Sequence, residues 1–211
     1  MKNQKKDIES KKAEKHFEAF CKKSGIQFLK LDNKKNSEIR NNLLINSQGK
    51  SPDYFCTKGN QSIFVEIKTL IHLTNKARSE KLQKNGLDIF SPKEELRTPL
   101  KTKLEKTIKK FDNIKSQTIP RILLLNGFFD NPKWFVNAIF LGAFPAYKKE
   151  NKKLVNVGFR KSSIGLFDSI GSSISSVIYW DNKTSTYGGV ENNSNPLIPF
   201  SEEDFYYFFK P

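Results

Sequence analysis

Cysteine is scarce in this chain: only Cys21 and Cys56 occur among 211 residues, far apart and each inside an apolar pattern. Two such thiols can build neither a disulfide framework nor a zinc cluster, and they suit a reducing compartment as buried free thiols. Histidine is equally sparse. Neither His16 nor His72 has a partner at metal-ligand spacing, so both read as structural. The longest apolar run, WFVNAIFLGAFPA over 134–146, is too short to span a bilayer. Residues 1–16 are lysine-rich and have no apolar centre, which argues against a secretory signal and for a cytoplasmic protein with no membrane partner. No repeat period, Gly-x-Ser-x-Gly elbow or Walker-type phosphate loop is present. Acidic side chains are also in short supply, with 22 Asp and Glu against 37 Lys and Arg for a net charge of +15. The imbalance is local: residues 1–120 hold 27 basic and 14 acidic side chains, residues 121–211 only 10 and 8. Such an excess either keeps the protein soluble or meets an acidic partner, nucleic acid before an anionic membrane surface.

Apolar residues make up 36% of the chain and aromatics 12%, enough for a sizeable core. Ala13, Phe17, Phe20 and Cys21 recur at helical spacing within 7–24, and Gly25 follows as a stop. IQFLKL (26–31) and NLLI (42–45) read as strands, 74–85 as a helix and 85–92 as a loop. A clearer helix carries Leu100, Leu104, Ile108 and Phe111 as its apolar stripe. Lys103, Lys106 and Lys110 lie on another face, as a solvated surface or as phosphate contacts for a nucleic acid. RILLLNGFF (121–129) is a continuous apolar run of the kind found in a central strand. Beyond 130 come strand-like pieces, WFVNAIFLG, LVNVGF, SVIYWD and the aromatic DFYYFF. The whole predicts a mixed α/β domain.

The stretch SPDYFCTKGNQSIFVEIKT (51–69) reads as a hairpin. Gly59-Asn60 supplies a two-residue turn, which pairs Lys58 with Gln61 and, counting outward, Tyr54 with Val65 and Asp53 with Glu66. Lys68 then shares a face with Glu66. Two carboxylates directly opposed on a half-buried strand pair repel unless something positive lies between them. Mg²⁺ is the natural answer, with Mn²⁺ as its substitute, because it takes oxygen ligands from one or two carboxylates, water and phosphate. Lys68 is placed to hold an attacking water or to face charge building on a phosphate.

Pro52-Asp53, twelve residues, then Glu66-Ile67-Lys68 resembles the signature of the PD-(D/E)xK nuclease superfamily. The resemblance implies a restriction-endonuclease-like core over 1–130, a mixed sheet flanked by helices in the order α-β-β-β-α-β. Residues 131–211 would then be a β-rich elaboration of the same domain. It implies that Asp53, Glu66 and the main-chain carbonyl of Ile67 bind the metal and that Lys68 is the catalytic lysine. Many members add a glutamate from the first helix. EKHFEAFCKKSG (14–25) looks similar to that helix, with Glu14 as the candidate at the edge of its apolar face and Glu18 in reserve. The expected activity is metal-dependent phosphodiester hydrolysis, on DNA ahead of RNA, with a homodimer suited to cutting a duplex. The alternative is a non-catalytic nucleic-acid-binding protein on the same fold.

Overall fold

The computed structural model describes residues 2–33, 36–69, 94–126, 140, 143–150, 153–161, 167–168, 173–181, 186–193 and 196–210. The predicted helix at 74–85, the loop at 85–92, His72 and all of WFVNAIFLG but Phe140 lie outside them.

Helix α1 (Lys2–Lys23) begins earlier than its apolar pattern. Its buried residues Ala13, Phe17 and Cys21 are the ones whose spacing predicted it. It ends where Gly25 takes a φ of +68°, which lets the Ile26 N–H donate back to the Cys21 carbonyl at 2.8 Å. Strand β1 (Gln27–Lys30) follows.

NLLI does not extend as a strand: helix α2 covers Ser37–Leu43, and Leu44 makes only an isolated bridge to Ile114. The reason lies in Arg40. Its guanidinium donates to the Ser47 carbonyl (2.7 and 3.1 Å), the Gly49 carbonyl (3.1 Å), Ser51 Oγ (3.0 Å) and the Leu31 carbonyl. These bonds satisfy main-chain acceptors of an irregular segment that a strand ladder would otherwise have to meet. The clamped segment leads directly into Ser51-Pro52-Asp53.

Strands β2 (Tyr54–Lys58) and β3 (Gln61–Thr69) form the predicted hairpin in the predicted register, Lys58 with Gln61 through Tyr54 with Val65. Gly59 has a φ of +55° at the turn. Helix α3 (Glu94–Phe111) then leads to β4 (Arg121–Asn126), which runs parallel to β3 and is buried from Arg121 to Leu125. Strands β5 (Ala143–Glu150) and β6 (Lys153–Lys161) form a separate antiparallel pair. Strand β7 (Ser176–Asp181) returns parallel to β4, and β8 (Thr186–Asn192) closes antiparallel to β7. The result is a mixed six-stranded sheet, ordered β1-β2-β3-β4-β7-β8.

The aromatic end DFYYFF departs from its strand-like pattern. It lies in helix α4 (Glu202–Phe209), not in a strand. Ser201 Oγ accepts the Asp204 N–H at 3.0 Å while Asp204 accepts the Ser201 N–H at 2.8 Å, a capping box that starts a helix despite the β-propensity of the aromatics. Phe205, Phe208 and Phe209 are then buried on one side, and Tyr206 and Tyr207 stay exposed.

Strand alternation sorts the core into two layers. Ile63, Val65 and Ile67 pack with Ala13, Phe17 and Cys21 of α1 and with the buried phenylalanines of α4. Phe64, Leu123 and Leu125 pack on the opposite face with Leu104 and Phe111 of α3. Glu66, between Val65 and Ile67, therefore faces α3. Among the described residues no helix is long and apolar enough to cross a membrane.

Candidate active site

The site grows out of the end of the hairpin away from its turn. Extending the observed register by one pair puts Asp53 level with Glu66. Asp53 is fixed twice: its carbonyl accepts the Leu31 N–H at 3.0 Å, and its Oδ2 accepts the Ile67 N–H at 2.8 Å. The second bond continues the ladder with a side chain where β2 has run out of main chain. It also orients Ile67, whose carbonyl points to the same edge as its N–H and hence toward Asp53.

Glu66 is 0% exposed. Burial first, and the neighbouring Asp53 carboxylate second, push its carboxyl up to about 7 despite opposing pulls from Lys68 and Lys110. Lys68 Nζ donates to Glu66 Oε1 from the same face of β3.

Lys110 belongs here as well, against the expectation that it faces nucleic acid beside Lys103 and Lys106. Its Nζ donates to Glu66 Oε1 at 2.7 Å, Glu66 Oε2 at 2.8 Å and Asp53 Oδ1 at 3.1 Å. Burial alone would lower the basicity of this ammonium, but Asp53 and Glu66 outweigh it and raise its pKa. At 100° per residue Lys110 lies about 60° round α3 from Thr107, and Thr107 is itself fully buried. A polar core residue on the flank of the apolar stripe is the signal that a stripe drawn from Leu and Phe alone leaves out. Lys106 is exposed as expected, and the side chain of Lys103 lies outside the described residues.

Glu14 is not brought to this cluster. Its carboxylate pairs with Lys30 at 3.2 Å, as Glu18 does at 2.6 Å, and Glu18 also accepts the Tyr54 hydroxyl at 2.8 Å. Burial works to raise the Glu18 pKa, but Lys30 and Tyr54 prevail and lower it. The cause is topological: α1 covers the Val65 face of the sheet, and Glu66 faces the other way. The remaining residues singled out earlier are structural in their contacts. His16 packs its ring against Trp180 at 5.6 Å, and Cys21 and Cys56 are buried free thiols.

No protein-family model, curated protein or solved structure matches the chain.

The chemistry of the cluster therefore rests on its own geometry. Among the described residues no three His, Cys, Asp or Glu side chains gather as a metal site. A cation bound here would need the two carboxylates, the Ile67 carbonyl and water, which is how Mg²⁺ is ordinarily held. The donor set fits such an ion. Its oxygens are hard, and the shared space between the acids already holds a positive group, the Lys110 ammonium.

Proposed function

We propose that this protein is a Mg²⁺-dependent nuclease on a restriction-endonuclease-like core, acting on DNA ahead of RNA. The observation that carries this reading is the fully buried Glu66 carboxylate set beside Asp53, with Lys68 on the same face. A fully buried carboxylate with a second acid beside it is costly to keep unless it serves something positive. The order α1-β1-β2-β3-α3-β4, with α2 inserted, accords with the order that the PD-(D/E)xK resemblance implies.

Asp53, Glu66 and the Ile67 carbonyl would hold Mg²⁺, or Mn²⁺ in its place, and the bound cation would supply Lewis acidity toward a phosphate ester and acidify a water ligand. The Ile67 N–H keeps Asp53 Oδ2 aimed along the strand edge and leaves Oδ1 turned to the shared space. Lys68 Nζ is placed to hold the attacking water by a hydrogen bond and to face negative charge building on the phosphate. The water oxygen bonds to phosphorus as the bond to the leaving sugar oxygen breaks in line. The water proton passes to solvent, and the leaving oxygen takes one from solvent. Lys106 and Lys109, exposed on α3, give this side of the sheet positive charge for a phosphate backbone.

One observation favours the alternative of a non-catalytic nucleic-acid-binding protein: Lys110 and Lys68 together close the acid pair into a neutral internal network. Incubation with plasmid, linear duplex, single-stranded DNA and RNA in Mg²⁺, Mn²⁺ or EDTA separates the two. The nuclease reading expects cleavage in either metal, none in EDTA, and none by Lys68→Ala. Binding without cleavage under every metal condition would favour the alternative.

A further inference from the structure

Every oxygen of the acid pair is already engaged. Asp53 Oδ2 accepts from the Ile67 main chain, Asp53 Oδ1 and Glu66 Oε2 accept from Lys110, and Glu66 Oε1 accepts from both lysines. Two carboxylates and two ammoniums make a neutral cluster. A divalent cation would compete with Lys110 for the same lone pairs and repel it across a partly desolvated gap. The two cannot share the site. Among the described residues Lys68 donates to one oxygen of Glu66, so it can stay while Lys110 goes.

We infer that Lys110 is an internal counter-cation that holds Asp53 and Glu66 together before metal arrives and is exchanged for the metal when it enters. The inference rests on the proposed metal-dependent reading of the site and deepens it by naming the residue that governs loading. Lys110 suits the part. It stands in the last turn of α3, on a flexible four-carbon stem, and its neighbour one turn back, Lys106, is exposed. The released ammonium can therefore reach solvent along that face without any change in the helix.

Calorimetric titration of the intact protein with MnCl₂, for wild type and Lys110→Met, tests the competition. Removing the competitor should tighten Mn²⁺ binding on the order of tenfold. Lys110→Met leaves Asp53 without its cation and the buried Glu66 with Lys68 alone, and can fail to fold, so a second measurement uses wild type alone. Lysine acetylation read by peptide mass spectrometry should label Lys110 several-fold faster in saturating Mn²⁺ than in EDTA, with Lys106 labelled equally in both. An unchanged Lys110 labelling rate in Mn²⁺-saturated wild type overturns the exchange whatever the variant does, and leaves the metal-dependent reading standing. Equal or weaker Mn²⁺ binding by a folded Lys110→Met protein also overturns the exchange. No Mn²⁺ binding by either protein overturns both.

Discussion

The two faces of the sheet carry charge clusters of nearly the same composition and opposite character. On the α1 side Glu14 and Glu18 share Lys30, with side-chain exposures of 35%, 24% and 35%. On the α3 side Asp53 and Glu66 share Lys110, with side-chain exposures of 27%, 0% and 22%. Water screens the first cluster, so its ions gain a little from pairing and lose little without it. In the second only Glu66 is deprived of water, so that one acid depends on the cations beside it. Glu18 is accordingly driven below its ordinary carboxyl pKa, while Glu66 is pushed up to about 7. Burial of one acid, more than the kind of residue, sets the second cluster apart from a surface feature.

The largest difference should appear in catalysis. Asp53→Asn and Lys68→Ala should each reduce metal-dependent cleavage by about a hundredfold or more while leaving the protein folded. Glu14→Ala, on the wrong face, should retain most of the rate. Initial rates on linear duplex DNA in Mg²⁺ check this, and a Glu14→Ala loss as large as that of Asp53→Asn would erase the distinction.

Stability without metal comes next. In EDTA at pH 8, Lys110→Met should cost about 3 kcal/mol of unfolding free energy, because it leaves the buried Glu66 beside Asp53 with Lys68 as its one counter-charge among the described residues. Lys30→Met should cost less than about 1 kcal/mol, since its cluster is solvated. Urea melts of the two variants give both numbers. At pH 6 the Lys110→Met cost should shrink, because Glu66 can take up a proton instead of facing Asp53 charged.

The two faces should also respond to pH with opposite signs. A carboxyl whose pKa is raised in the folded state binds more protons folded than unfolded, so it favours folding at low pH. That stabilisation is lost as pH rises from the ordinary carboxyl value of 4.5 through about 7. A carboxyl with a lowered pKa does the reverse: Glu18 adds stability above its unfolded pKa and loses it as pH falls through the folded one. In EDTA, Glu66→Gln should therefore flatten the decline between pH 4.5 and 7. Glu18→Gln should flatten the loss below pH 4.5. Urea midpoints across that range decide it, and the same sign for both variants would contradict the comparison.

The smallest effect concerns exposed charge on the α3 side. Lys106→Glu should weaken nucleic-acid binding across sequences and reduce the log-log salt slope by about 1 to 2. Fluorescence anisotropy at several salt concentrations measures it, and an unchanged slope would return Lys106 to a merely solvated role.

How much of this was legible beforehand varies with how local the cause is. The Gly59-Asn60 turn and the alternation of Ile63, Val65 and Ile67 settle the hairpin register within a few residues, so the alignment of Asp53 with Glu66 could be counted out from the turn. The apolar spacing of α1 and the continuous run of β4 are equally local. α2 was not legible, because four apolar-rich residues fit a strand or a helix and the folding of the flanking segments onto Arg40 decides between them. α4 was legible in part: Ser201 and Asp204 are a capping pair at the right spacing, outweighed by the run of aromatics that follows. The inward turn of Lys110 and the pairing of Glu14 with Lys30 depend on which helix covers which face. That is a property of the whole chain, and no short motif carries it.

The most direct test of the central claim is a set of thermal melts of wild type, Asp53→Asn and Glu14→Gln, each in Mg²⁺ and in EDTA. A ligand that binds only the folded state raises its melting temperature by mass action. The account predicts a Mg²⁺-dependent rise for wild type and Glu14→Gln and little or none for Asp53→Asn. An equal rise in Asp53→Asn, or a rise lost only in Glu14→Gln, would contradict the placement of the metal between Asp53 and Glu66.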